Sequence, residues 1–426
     1  MEANQLKPLN PVLPVQEPEP LKKTSARGCP VCAATGCEVL HTQRFVLPEG
    51  HPLASGYDVV CCEQCGFVYA DTAGTQADYD AFYARFSKYE DSQTSTGGGG
   101  FPEDTLRLRE TAACIAAALP DRNARLLDIG CANGGLLQAL QELGYTNLAG
   151  MDPSPVCVEA TRQLCQCDVY VGPFSELPTN IGQFDGVIMS HVLEHVQDLH
   201  EALQCVKSLF SSNGIAYIEV PDASRYPDYY VSPFHFFDTE HINHFSQTAL
   251  GNLMTRHNLI GWGQGEKTTA LTSEIVYPAI YTFLKRCNDP RSEVVVDDGL
   301  RQSIGKYIEM SRSDGLLDLP ADILDNGTPV IVWGVGCSTT RLLANSFLGK
   351  ANIVAFTDNN SKHWGGSILN KTVLNPVDLK SRNELIIVTS KIYGQEIISQ
   401  LIFELQIDPA RIVFVFSRMG GIAGVQ

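Results

Sequence analysis

Residues Arg125 to Leu137 read Arg-Leu-Leu-Asp-Ile-Gly-Cys-Ala-Asn-Gly-Gly-Leu-Leu, an apolar strand that runs into a glycine-bearing turn and opens a helix. No other stretch constrains the chain as strongly, because this order commits it to a doubly wound α/β sheet with a ligand at the strand's carboxyl end. Gly130 and Gly134 lack a Cβ, so the backbone can adopt positive φ and approach a ligand closely, and Cys131 between them is expected to line the cofactor site. The helix starting near Gly135 aims free N–H groups at the same place. Asp128 is poorly placed for a phosphate and well placed to accept from the ammonium of an amino-acid moiety. Asn147 to Asp152 reads as the next strand, with Asp152 at its carboxyl end, where a carboxylate can take both ribose hydroxyls, and Pro153 ends that strand. Together these features predict a site for S-adenosylmethionine, with any other doubly wound nucleotide fold as the plainer alternative.

The residues that follow resemble a class I methyltransferase. Phe184 to His191 looks like its fourth strand, Val192 to Asp198 like the helix after it, and Asn213 to Pro221 like its fifth strand. Ser190 and His191 then fall at the mouth of the cofactor cleft. Ala132 replaces the middle glycine of the usual triplet, and no acid ends the third strand. Val169-Tyr-Val-Gly-Pro173-Phe174 stands there instead, so the resemblance implies that adenine is held by the Pro173-Phe174 backbone and the Phe174 face. Glu194 and His195 are open to a catalytic role or to helix capping and packing.

With 426 residues the chain is too long for one core and divides into two or three domains. Its 48 acidic and 31 basic side chains leave a net charge of −17, and no basic patch offsets it, so nucleic acid is not an expected partner. No apolar run reaches the ~18 residues of a membrane span, and the Pro-rich start lacks the apolar core of a signal peptide, so a cytoplasmic protein with no membrane partner is expected. The 14 cysteines therefore read as reduced thiols and metal ligands rather than as disulfides. Cys157, Cys165, Cys167, Cys205 and Cys337 read as plain core thiols.

Residues 1–27 carry Pro, Glu and Lys without periodicity and are expected to be a disordered tail. Cys29-Pro-Val-Cys32 and Cys62-Glu-Gln-Cys65 are two C-x-x-C knuckles that predict a structural zinc site in a ribbon over 28–70, with Cys61 as a weaker competitor for Cys62. Residues 71–105 form a connector with Tyr79, Phe82, Tyr83, Phe86 and Tyr89, followed by Gly97 to Gly100. It reads either as a lid over the cleft or as a packed linker helix. A helix over Leu106 to Leu119 leads into the methyltransferase core, placed at 106–265. Residues 266–325 are read as a helical connector, because Tyr277, Tyr281, Leu284, Ile304 and Ile308 fall at helical spacing. A second α/β unit, Rossmann-like, occupies 326–426: Pro329 to Gly336 gives a strand and glycine turn, Asn352 to Asp358 a strand ending in an acid, and Leu385 to Thr389 a third strand. Only two glycines stand where a dinucleotide fingerprint wants three.

This order of modules, with Phe236-Phe-Asp-Thr-Glu240-His241-Ile-Asn-His244-Phe245-Ser246 between the last two, resembles the sugar C-methyltransferases that build branched deoxysugars. The resemblance implies a nucleotide-linked ketosugar as the small-molecule substrate, S-adenosylmethionine and structural zinc as cofactors, and methylation of the carbon beside the ketone. It places Glu240 and His241 on the family's Tyr-x-Glu-His, with Asp238 where the Tyr is expected. The cofactor turn also departs from the family's Gly-Ser-Asn-Asp-Gly, and the C-terminal unit lacks its Pro-Gly-Thr. Chemistry asks for a base beside an acceptor that must lose a proton; His241 is the expected base, with Glu240 or Asp238 to orient it. A second metal among His235, Asp238, Glu240, His241 and His244, a purely structural loop, an O- or N-methyltransferase, and an inactive scaffold remain alternatives.

Overall fold

The computed structural model describes residues 21–86, 102–178, 180–270, 275–287, 293–314 and 327–416. Three sheets organise them. The first is antiparallel throughout and pairs Lys22–Thr24, Gly36–Arg44, Gly56–Cys62 and Val68–Asp71 in chain order, and then takes Asn243–His244 as its fifth strand. Its first strand lies inside the stretch expected to be a tail. Lys23 fixes it there, with its ammonium 2.7 Å from Asp58 and 2.8 Å from Asp71. Residues 21–27 of that stretch are therefore described structure, and 1–20 fall outside the described residues. The helix Gln76–Phe86 follows, with Tyr79 and Phe82 buried, while Tyr89 and Gly97 to Gly100 lie outside the described residues.

The central sheet has seven strands. Leu126–Ile129 lies between Leu148–Asp152 and Phe184–Ser190, Asp168–Val171 forms one edge, and Phe210–Pro221 continues the parallel set on the other side. The short apolar strands at its centre are buried on both faces, as parallel strands under helices must be. Beyond Phe210–Pro221 the sheet ends in an antiparallel hairpin, Val276–Arg286 next to it and Leu259–Ala270 at the edge.

That hairpin corrects the helical connector expected over 266–325. Residues 276–286 are a strand, and the central sheet extends to Arg286 instead of ending near 265. The Tyr277, Tyr281 and Leu284 spacing mimics a helix, but Val276, Tyr277, Ile280, Tyr281, Thr282 and Phe283 are β-branched or aromatic and suit a pleated surface. Within the described part of the expected connector only Asp298–Ser313 is helical. Asp297 caps it by accepting from the Leu300 N–H at 3.0 Å.

The third sheet is parallel over Lys371–Leu374, Asn352–Thr357, Pro329–Trp333, Leu385–Val388 and Ile412–Phe414, in that spatial order, with Ser367–Ile368 added antiparallel at one edge. Its first helix, Cys337–Asn345, ties it to the rest of the molecule. Arg341 donates to the Phe234 carbonyl at 2.7 Å, Asn345 to the Arg44 carbonyl at 2.8 Å, and the Thr340 carbonyl accepts from Val46 N–H at 2.9 Å. Among the described residues no helix is long and apolar enough to cross a membrane.

One buried and one part-buried imidazole make this packing sensitive to acid. Burial holds His244 down to about 3, and it holds His41, whose ring stacks on Phe234 at 4.2 Å, down to about 4. Both rings stay neutral in the fold, whereas the unfolded chain protonates them below about 6.5. The native state then binds fewer protons, so the stability is complete above that pH and falls through the window from about 6.5 to 4. The fully buried His244 alone contributes a slope of up to about 1.4 kcal/mol per pH unit. Denaturant unfolding at pH 7 and pH 4.5 should show His244→Gln losing less stability on acidification than the wild type; equal losses would contradict the assignment.

Candidate active site

The cofactor half of the cleft follows from the turn after Leu126–Ile129. Gly130 and Gly134 take φ of 77° and 85°, as their lack of a side chain allows. Asp152 closes the turn by accepting from the Ala132 N–H at 2.9 Å on one oxygen and the Ser154 N–H at 2.9 Å on the other. Gly130, Asp152, Pro153, Pro173, Phe174, Ser190 and His191 all line one cavity. Asp128 lies beneath its floor. Burial first, and then the charge of Asp152, pushes its carboxyl up to about 8. A cationic group placed beside it would reverse that shift. Cys131 differs from the expectation: its thiol turns into the core, 4.0 Å from Thr161 Oγ1, so only its backbone can face a ligand.

Sequence reasoning missed other walls of this cavity. Arg107, from the helix Pro102–Ala118, is buried with its guanidinium 2.7 Å from Asp104. Tyr277 enters from the hairpin read as helical, and Gln76 and Asp80 from Gln76–Phe86, beside Tyr83, which the lid reading of 71–105 had already named. A charged residue on the buried side of a helix was the available signal for Arg107.

His191 stands at the end of Phe184–Ser190 with φ of 56°, a strained value for a non-glycine residue. Its Nδ1 lies 3.1 Å from Glu194 and its Nε2 3.0 Å from Glu219. Burial works against its charge, but the two carboxylates outweigh it and raise the pKa. An imidazole that donates from both nitrogens has no lone pair to offer a substrate. Glu219 is completely buried and also takes Lys267 Nζ at 2.7 Å and the Tyr217 hydroxyl at 2.5 Å. Although burial would raise its pKa, these partners, His191 foremost, hold it well below the usual carboxylate range.

The other half of the cavity is assembled from two distant segments. Leu193–His195 is a tight 3-10 turn that buries Glu194 and His195. Burial would raise Glu194, yet the hydrogen bond from His191 and the nearby rings of His195 and His241 keep it lowered. His195 Nδ1 lies 3.2 Å from the Glu240 carbonyl, and its ring centre is 4.7 Å from that of His241. Tyr83 donates to the Glu240 carboxylate at 3.2 Å. Asp238 Oδ1 accepts from the N–H groups of Glu240 at 2.8 Å and His241 at 2.6 Å, which makes it a turn cap that shapes the loop and not a partner of the His241 ring. His244 points away from the cleft toward Phe237 and Tyr226.

Outside the walls of the cleft, Cys29 and Cys65 bring their sulfurs to 3.5 Å, and Cys32 and Cys62 to 3.4 Å. All four lie within 4.8 Å of one another. Cys61 and Cys37 turn instead to the carbonyls of Gly66 and Lys23. The four thiols fit a closed tetrahedral shell.

Gly134 gives the cofactor turn a direct test. A Cβ there would meet Thr161 Cγ2 at 2.9 Å and Cys165 Sγ at 3.2 Å, on a backbone that side chains avoid. Gly134→Ala should cost about 1 to 3 kcal/mol. Gly251→Ala, on an open face of the helix Gln247–Arg256, should gain about 0.5 to 1 kcal/mol. Urea titration of both variants checks this, and a Gly134→Ala protein as stable as the wild type would refute the turn's geometry.

A family profile described as a methyltransferase domain matches residues 104–261, and a second, described as C2185-like, N-terminal, matches residues 327–413. The ubiquinone biosynthesis O-methyltransferase of Azorhizobium caulinodans is 31% identical over 121 residues, which is 27% of this chain and 47% of that protein. The mitochondrial ubiquinone biosynthesis O-methyltransferase of Bos taurus is 28% identical over 120 residues, 26% of this chain and 32% of that protein. The chain thus spans about half or less of the curated relatives it matches. The magnesium protoporphyrin IX methyltransferase of Synechocystis, solved with bound SAH, aligns at a TM-score of 0.34 and 15% identity over 43% of this chain and 83% of its own. Residues 104–261 of this chain are a class I, S-adenosylmethionine-dependent methyltransferase domain.

Proposed function

We propose that the protein transfers the methyl group of S-adenosylmethionine to a small sugar-like acceptor carried on a nucleotide, at the carbon beside a ketone. The observation that carries this reading is the cavity itself. Asp152 and the glycine turn line one end, and Glu194, His195 and His241 line the other. Asp128, Gly130, Asp152 and the Pro173–Phe174 stretch would hold the donor, which supplies an electrophilic methyl group on a sulfonium. An in-line displacement then needs an acceptor held close to that methyl, with water excluded and a proton removed.

The chain's own groups suit those tasks. Asp80, Tyr83 and the Glu240 that Tyr83 binds set a polar, hydrogen-bonding wall that favours a hydroxyl-rich acceptor. His241 is the base of this reading. His191 is excluded from that role by its two carboxylates. Asp238 supports His241 indirectly, by capping the turn that carries it. The C-terminal unit, bound through Arg341 to the Phe234 carbonyl, stands behind the same loop and is assigned a part in holding the nucleotide end. The four thiolates of Cys29, Cys32, Cys62 and Cys65 hold one structural zinc in the same reading. A second reading, O-methylation of a phenolic acceptor, is favoured by the ubiquinone O-methyltransferases among the relatives.

Incubation with labelled donor and parallel panels of nucleotide ketosugars and phenols, followed by mass spectrometry, should give a methylated sugar; a methylated phenol alone would select the second reading. His241→Ala should lower turnover by ~10² to 10⁴ while donor affinity in calorimetry stays close to wild type. Asp152→Ala should instead lose donor binding, and undiminished binding would remove the cofactor assignment. Metal analysis of fresh protein should find zinc at one per chain or more, and chelation should unfold the cysteine-bearing antiparallel sheet first, so a thermal transition indifferent to chelator would count against the zinc.

A further inference from the structure

At the acceptor end of the cleft, groups that accept hydrogen bonds meet with too few donors between them. One ligand atom each from Glu194, His195 and His241 lies within 4.8 Å of the others. His195 Nδ1 faces the Glu240 carbonyl at 3.2 Å, and a carbonyl can only accept, so this nitrogen carries the proton. The lone pair of a neutral ring then sits on Nε2, which faces Glu194 Oε1 at 3.8 Å. Glu194 is 1% exposed, and its Oε1 is fixed by His191 at 3.1 Å. Its other oxygen, and Nδ1 of His241, are buried without a hydrogen-bond partner among the described residues.

A cation held between these side chains would satisfy the free Glu194 oxygen and the His241 ring together. Two imidazoles and a carboxylate, with a carbonyl behind one ring and the His191 ring behind the carboxylate, form a donor set for a divalent metal of borderline hardness, oriented by outer hydrogen bonds. Nitrogen ligands argue against magnesium or calcium, which prefer oxygen. Three protein ligands facing a cavity leave positions open, unlike the closed shell of the four cysteines.

We infer that Glu194, His195 and His241 bind one divalent transition-metal cation at the acceptor end of the cleft. This deepens the proposed function and rests on the acceptor being placed there. A cation in that position would polarise the acceptor's ketone oxygen as a Lewis acid and acidify the C–H beside it; with His241 then a ligand, the proton would pass to a hydroxide held at one of the open positions.

The test is titration of the full-length protein with Co²⁺ alone, read by visible spectroscopy and equilibrium dialysis. Sulfur ligands give intense charge-transfer bands, whereas a nitrogen and oxygen site gives weak ligand-field bands without them. The expected result is one Co²⁺ per chain with sulfur-free bands, and affinity weakened at least about tenfold in His241→Ala and in Glu194→Gln. His241→Ala is the safer variant, because Nδ1 of that ring makes no hydrogen bond on which the fold depends, and an unchanged circular dichroism melt certifies it. Equal Co²⁺ uptake by wild type and His241→Ala, or bands of sulfur ligation only, would overturn the inference. The two readings fail separately: Co²⁺ binding needs no methyl donor, and methyl transfer without Co²⁺ binding would leave His241 as a free base.

Discussion

The structure of the cleft depends on a fastening between the turn Leu193–His195 and the strand Asn243–His244. The Arg27 guanidinium donates to the carbonyls of Val196 at 3.1 Å and Gln197 at 2.5 Å, and reaches those of Ala70 and Ile242 at 3.4 Å. Asn243 donates from its amide to the carbonyls of Leu193 at 2.8 Å and Val196 at 2.7 Å. The Ile242 N–H reaches the Glu194 carbonyl at 2.9 Å. Buried carbonyls at the end of a short 3-10 turn need such donors, and here two side chains from remote parts of the sequence supply them. Glu194 and His195 are thereby held against His241.

The fastening joins the first sheet to the turn that follows Phe184–Ser190. Asn243–His244 is at once a strand of the cysteine-bearing sheet and a neighbour of the methyltransferase turn. The loop before it is held on both sides, by the Tyr57 hydroxyl on the Asp238 carbonyl at 2.7 Å and by Arg341 on the Phe234 carbonyl at 2.7 Å. A metal bound by four thiolates would therefore do more than hold a small fold together, since the sheet it stabilises carries the acceptor-side loop.

The cofactor half was legible in the sequence because its groups are close along the chain: strand, glycine turn and acid succeed one another between Leu126 and Asp152, and local physics suffices to place them. The acceptor half was legible only in pieces. Glu240 and His241 stood out through a family resemblance, but nothing local tells that Glu194 and His195 share their cavity, because strand pairing between distant segments brings them together. The same limit explains two corrections. Lys22–Thr24 was hidden in a polar, proline-rich start because its order comes from Asp58 and Asp71, and Val276–Arg286 was hidden because Tyr277, Tyr281 and Leu284, spaced by four and three, satisfy a helical pattern as well as a strand near a sheet's edge.

Hydrogen exchange of Arg27→Ala tests the fastening most directly. If Arg27 holds the acceptor half together, the Ile242 amide and those of residues 193–197 should exchange faster than in the wild type, while the amides of Leu126–Ile129 and Leu148–Asp152 keep their protection. Unchanged exchange at Ile242, or loss of protection that spreads evenly into those two cofactor strands, would contradict the account.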